Sequence, residues 1–120
     1  MFSIGDVYIY PTKMEGVGLT ITEAMSTGMP VVTTNYPTMN EWIDDNIDGR
    51  LIKVDKIKKS KLIINEAFID CSHLAEILIN YIDNPQIVEE QSINARKKIE
   101  TKYNWDDRDK QIFNLFDLSI

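Results

Sequence analysis

Cysteine and histidine are almost missing from this sequence of 120 residues, which has one of each, Cys71 and His73. A single cysteine excludes an internal disulfide, and a lone thiol fits a reducing compartment. One histidine and one cysteine cannot build a structural zinc site, which needs four ligands. Long apolar runs are missing too, since none approaches the roughly 20 residues that cross a bilayer. The start, MFSIGDVYIYP, has an acid at position 6 and no basic n-region, so it does not read as a signal peptide. The expected location is cytoplasmic. Basic residues are also short, 13 against 19 acids, for a net charge of -6. Residues 1–50 hold seven acids and two bases, so most of that excess sits there. A nucleic-acid binder normally shows the opposite sign, because phosphate contacts supply much of its affinity. Nucleic acid is therefore not an expected partner.

What is present is ordinary for a folded domain: 43% hydrophobic and 27% charged residues argue against disorder. The length allows one domain at most, or a piece of one. Asp6 to Tyr10 is a short β-rich run stopped by Pro11-Thr12. A glycine-bearing loop follows, Lys13 to Gly18, and then a helical pattern from Leu19 to Thr27 with Gly28 in the C′ position. Pro30 to Thr34 reads as a strand covered on both faces. Strand, helix, strand in about 30 residues is a βαβ unit, which implies a parallel sheet.

Further on, a polar loop at Asn35 to Thr38 leads to a short helix around Asn40 to Asp44, and Asp48-Gly49 turns into a strand at Arg50 to Val54. Lys56 to Lys61 is a basic patch, read as a solvated loop with contact to anionic lipid as the sharper alternative. Ser72 is the expected N-cap of a helix to about Asp83, with Leu74, Ile77, Leu78, Tyr81 and Ile82 as its apolar stripe. Asn84-Pro85 supplies a cap and an N1 proline for a helix ending near Tyr103. A last helix starts near Asp106, with Trp105 as an expected packing anchor and Ile112, Phe113 and Phe116 on one side. His73 reads as a residue of a helix's first turn, with no catalytic partner. Three strands are few for an open parallel sheet, so the chain reads as the second half of a doubly wound α/β domain over residues 1–104, with a C-terminal helix over 105–120.

Ligands of open α/β sheets collect beyond the carboxyl ends of the strands, here Pro11 to Leu19 and Asn35 to Asn40. Gly16 and Gly18 allow close backbone approach and positive φ. The helix starting at Leu19 offers unpaired N–H groups and a positive dipole end to an anion. Glu15 lies in the loop, and Glu23 lies one turn into the helix, where its side chain leans back toward the helix start. Carboxylates there can accept from paired sugar hydroxyls, or can simply be solvated charges. On the residues alone, both readings stay open, as does a catalytic carboxylate pair.

The run DVYIYPTKMEGVGLTITEAMSTGMPVVTT resembles the nucleotide-sugar-binding segment of GT-B glycosyltransferases, in particular the retaining glycosyltransferase family 4. The matching positions are Pro11-Thr12, Glu15-Gly16-Val17-Gly18-Leu19, Glu23-Ala24-Met25, Gly28 and Pro30-Val31-Val32. Glu41 and Asp48 to Ile52 continue the match, and Glu15 and Glu23 reproduce the family's pair of glutamates with seven residues between them. The resemblance implies that Glu15 contacts hydroxyls of the donor sugar and is the catalytic residue of this segment. It implies that the backbone of Gly16, Val17 and Gly18 lines the sugar and diphosphate, that Leu19 and Thr20 offer N–H groups to the diphosphate, and that Glu23 binds the ribose. The nucleotide-sugar is then a substrate, and no cofactor or metal is implied for this segment.

This sequence departs from the pattern at Asn35 to Met39, where many members have a glycine-rich loop. The family's N-terminal acceptor domain and its diphosphate-binding Arg/Lys pair have no counterpart in these residues. The chain alone is therefore expected not to transfer sugar, and a missing N-terminal acceptor domain or a partner subunit is the implied associate. Ile112, Phe113 and Phe116 would then form an exposed apolar patch inviting self-association. A split, non-catalytic module that binds a partner through its open sheet edge is the second expectation, and an unrelated doubly wound nucleotide binder the third.

Overall fold

A computed structural model describes residues 4–116. Its centre is a three-stranded parallel sheet of β1 (Tyr8–Tyr10), β2 (Val31–Thr34) and β3 (Gly49–Ile52), in the order β1-β2-β3. Tyr8 aligns with Val31, and Val31 aligns with Gly49, so the strands start level. All four residues of β2 are buried, as a central strand with two covered faces requires. Val31 packs with Ile21, Met25, Met39 and Ile43 on one face, and Val32 with Ile52, Ile77 and Tyr81 on the other. The sheet is therefore covered on both faces, and the expected doubly wound α/β layout stands.

The connection from β1 to β2 is α1 (Leu19–Ser26), which buries Ile21, Ala24 and Met25. It ends as its sequence requires. Gly28 adopts φ +78°, its N–H reaches the Met25 carbonyl, and the Met29 N–H reaches the Ala24 carbonyl. These are the two bonds of a Schellman cap. Helices α2 (Cys71–Asp83) and α3 (Pro85–Lys102) follow the sheet. The Tyr81 hydroxyl on α2 donates to Gln91 on α3, so a buried polar pair fixes the two helices together. The Ser92 hydroxyl and the Arg96 guanidinium of α3 donate to the Gly28 and Ser26 carbonyls, tying α3 to the end of α1.

Several expectations need correction. The basic patch is not a loop: β4 (Val54–Lys59) pairs antiparallel with β5 (Asn65–Ile69) in a separate hairpin. The third parallel strand ends at Ile52, and Val54 already belongs to the hairpin. Asp70, not Ser72, caps α2, its carboxylate accepting from the Ser72 and His73 N–H groups. Ile82 of the expected stripe is exposed. The short helix is a single 3-10 turn at Met39–Glu41. Asn84 gives α3 no side-chain cap; its amide donates back to the Asn80 carbonyl of α2. The last helix, α4 (Trp105–Leu115), has no buried residue among those described. Trp105 is 78% exposed and anchors nothing, whereas Ile112, Phe113 and Phe116 are exposed as expected. Residues 117–120 of the expected C-terminal helix lie outside the described residues. No helix among the described residues is long and apolar enough to cross a membrane.

Candidate functional site

The carboxyl ends of β1 and β2 open onto the loop between Pro11 and Gly18. Its shape is set by bonds to carbonyls along its length. The Thr33 and Thr34 hydroxyls, both buried in β2, donate to the Tyr10 and Thr12 carbonyls at 2.8 and 2.6 Å. The Trp42 indole N–H donates to the Val17 carbonyl at 2.7 Å, and the Thr38 hydroxyl reaches the Gly16 carbonyl at 3.3 Å. From β5, the Ala67 N–H donates to the Lys13 carbonyl at 2.9 Å. Thr38, in the stretch that departs from the family pattern, thus supports the glycine loop itself.

Gly18 is the N-cap of α1, with φ +78°. A Cβ there would stand 3.3 Å from both Ile21 Cδ1 and Trp42 Nε1, so conformation and space both favour glycine. Gly16 differs from the expectation of positive φ. It lies outside that region, and a Cβ would meet nothing within 4 Å. Because Gly18 has no side chain, no cap hydrogen bond covers the start of α1. The N–H groups of Leu19 and Thr20 therefore stand in the first turn, where a helix lacks internal acceptors.

The sequence reading missed Tyr10. Its hydroxyl donates to Glu15 Oε1, joining the end of β1 to the loop. This bond to Glu15, followed by burial, raises the tyrosine pKa above its ordinary value and keeps the proton on the phenol. Glu15 is half-buried, and its Oε2 has no hydrogen-bond partner among the described residues. Thr20 Oγ1 is buried near the Tyr10 hydroxyl and has no hydrogen-bond partner among the described residues. Tyr10, Glu15 and Thr20 therefore converge from strand, loop and helix. The available signal was the side-chain alternation of β1, which puts Tyr8 and Tyr10 on one face, where their rings stack at 5.5 Å.

Glu23 is exposed and makes no ion pair or side-chain hydrogen bond among the described residues. It borders a cleft of about 400 Å³ shared with Trp42, Tyr103, Trp105 and Arg108, and Glu15 is not in the lining of that cleft. Val17 and Leu19 are also exposed. His73 accepts the Lys53 N–H at Nδ1, 3.0 Å away, and so belongs to the joint between β3 and α2. Among the described residues, no group of three or more His, Cys, Asp or Glu could hold a metal ion.

A second polar cluster lies at the other end of the sheet. Lys98 of α3 donates to Asp48 Oδ2 at 2.8 Å, Asp44 Oδ2 at 2.9 Å and the Trp42 carbonyl at 2.7 Å. Burial alone would lower the lysine pKa, but its bonds to Asp48 and Asp44 leave it raised. The Asp44 carboxyl is held below its ordinary value, chiefly by the bond from Lys98. Nothing in the sequence paired residues 50 positions apart.

Comparison with known proteins fits this geometry. The model of the family described as glycosyl transferases group 1 matches residues 1–84. A sucrose synthase from Denitrovibrio acetiphilus is 33% identical over 103 residues, covering 82% of this chain and 11% of that protein. An Escherichia coli UDP-Gal:alpha-D-GlcNAc-diphosphoundecaprenol alpha-1,3-galactosyltransferase is 30% identical over 111 residues, covering 92% of this chain and 25% of that protein. The chain thus spans a quarter or less of these relatives. In fold it is similar to TarM, with TM-score 0.75 and 23% identity over 96% of this chain and 20% of that one. It is also similar to the C-terminal domain of the group 1 glycosyl transferase LpcC from Francisella tularensis, with TM-score 0.67 and 21% identity over 86% of this chain and 46% of that one. The glycine loop between two parallel strands lies wholly inside the matched segment, and by that match the chain belongs to the glycosyl transferases group 1 family, as a part similar to the GT-B C-terminal domain.

Proposed function

We propose that the chain is the donor-binding part of a retaining glycosyltransferase of family 4, acting in glycan or polysaccharide biosynthesis. The observation that carries this reading is the convergence of Tyr10, Glu15 and the uncapped start of α1 at one strand end. The names of relatives that act on sugars support it. In the reaction, the bond between the anomeric carbon and the diphosphate breaks and the nucleoside diphosphate leaves. The acceptor hydroxyl oxygen bonds to that carbon on the same face, and its proton passes to the departing diphosphate.

Each residue has an assigned part. Tyr10 occupies one oxygen of Glu15 and fixes the carboxylate, leaving Oε2 to accept from hydroxyls of the donor sugar. The backbone of Gly16, Val17 and Gly18 lines the sugar and diphosphate. Leu19 and Thr20 give N–H groups to the diphosphate, aided by the helix dipole. Glu23 accepts from the ribose hydroxyls. Contribution to the rate is then electrostatic and positional, with no cofactor taken from this segment. The acceptor side is assigned to a further domain or partner subunit, and the working compartment to the cytoplasm.

Isothermal titration with a panel of nucleotide-sugars tests the donor reading. In an assembly with its acceptor side, Glu23→Ala is expected to weaken nucleotide binding. Glu15→Ala is expected to spare nucleoside diphosphate binding and to reduce transfer. Each loss should be about 1–3 kcal/mol, the cost of leaving a hydrogen-bonding group without its partner. Parent-like behaviour of both variants would leave the glutamates as solvated charges.

A second reading, a split module completed by a partner protein, is favoured by one observation. Among the described residues β1 pairs only with β2, and an open groove of about 820 Å³ borders Val7 and Gly28 beside it.

A further inference from the structure

The hairpin of β4 and β5 carries chemistry that the donor site does not use. Residues 56–61 hold four lysines and no acid, in a chain whose net charge is -6. Lys56 and Lys58 place their ammonium groups 5.8 and 5.5 Å from the centre of the Phe68 ring, and Lys13 joins them at 4.6 Å. Three cations on one ring repel each other, and none of them is ion-paired among the described residues. Such a cluster fits an anionic partner.

The turn of the hairpin is apolar where turn chemistry favours polar residues. Leu62 is 79% exposed and Ile63 is 80% exposed. Ile63 also adopts φ +63°, a conformation that asparagine or glycine takes more easily than a β-branched residue. The turn satisfies part of its own backbone. The Ser60 N–H reaches the Ile64 carbonyl, the Ile63 N–H reaches the Ser60 carbonyl, and the Leu62 N–H reaches Ser60 Oγ. A turn with three N–H groups bonded internally strands fewer donors when it leaves water.

We propose that this hairpin tip is a docking surface for an anionic lipid bilayer. Leu62 and Ile63 enter the boundary between headgroups and acyl chains, while Lys59 and Lys61 beside them, with Lys56 and Lys58, face lipid phosphates. Charge complementarity selects this occupant. The rest of the chain is strongly acidic and is repelled by the same surface, so the field turns the molecule hairpin-first. A soluble phosphate would use the lysines alone and would be indifferent to the two apolar side chains.

The test is co-sedimentation of the 120-residue chain with vesicles of phosphatidylcholine alone or of phosphatidylcholine with phosphatidylglycerol. Binding is expected to the anionic vesicles only, and to weaken as salt is raised. Lys59→Gln and Lys61→Gln should each reduce the partition coefficient about fivefold. Leu62→Ser with Ile63→Asn should reduce it at least about tenfold. Ile63→Asn suits the local φ, so circular dichroism of this variant should match the parent. Equal binding to neutral vesicles, no binding to either, or parent-like binding of the tip variant would each overturn the proposal. So would displacement by inorganic pyrophosphate at fixed ionic strength, which would assign the lysines to a soluble anion. The readout is independent of donor titration, so the two proposals fail separately.

Discussion

Glu15 and Asp48 each stand next to a glycine at an end of a strand in the same sheet, and they are held in opposite ways. Asp48 is 2% exposed, with one oxygen accepting the Asp44 N–H at 2.9 Å and the other accepting from Lys98. Glu15 is half-buried, bonded by a neutral phenol at one oxygen and by nothing described at the other. Their neighbouring glycines differ in the same sense. A Cβ on Gly49 would lie 2.3 Å from the Val31 carbonyl oxygen, so β2 itself forbids a side chain there. A Cβ on Gly16 would meet nothing. At Gly49 the glycine answers the packing of the chain, whereas at Gly16 the described contacts of the chain make no such demand. The turn at Asp48 is complete, and the turn at Glu15 has capacity to spare.

The comparison breaks first at Asp48. Asp48→Ala leaves Lys98 largely buried with the Trp42 carbonyl and, as its one remaining charged partner among the described residues, the more exposed Asp44. It should cost about 3 kcal/mol, read from the urea midpoint at unchanged m. A loss under about 1 kcal/mol would show that the corner is not a buried ion pair in energetic terms. Gly16→Ala sharpens the other half. Stability should change by no more than about 0.5 kcal/mol, as at an open surface position, while nucleotide-sugar affinity falls because the methyl group occupies the proposed approach path. Unchanged affinity would remove Gly16 from the site.

The smallest effect is that of pH. The lowered Asp44 carboxyl gives stability that is present above its unfolded value of 3.8 and is lost as pH falls through its lower folded value. The raised Lys98 gives stability that is present below 10.5 and is lost as pH rises through its higher folded value. Asp44 is well exposed, so the acid-side loss should be slight. Thermal melts between these limits should show no dependence from this cluster, and its acid-side part should vanish in Asp44→Asn.

The parallel strands were legible because their punctuation is local: Pro11 stops β1, Gly28 closes α1, and Asp48-Gly49 turns the chain into β3. The hairpin was not, because six residues with four lysines read as solvent-facing loop. The usable signal was the alternation of Lys56, Ile57 and Lys58, which puts Lys56 and Lys58 on one face with Phe68 across from them. Asp70 displaced Ser72 as the cap because its carboxylate takes two N–H groups, of Ser72 and His73, where a hydroxyl at the second position would be inside the helix. The anchor expected of Trp105 failed because α4 buries nothing among the described residues. At the candidate site, the residue types were legible from the motif, but the pairing of Tyr10 with Glu15 depends on how the loop folds back over the end of β1.

The brevity of β1 has its own consequence for solution behaviour. A strand of three residues followed by Pro11 presents only a few backbone groups to a stranger, too few for indiscriminate strand addition. An incoming strand gains enough only if it also fills the groove beside Val7 and Gly28. Among the described residues the β1 margin is thereby biased against self-templated aggregation, and the split-module reading calls for a partner matched to that groove.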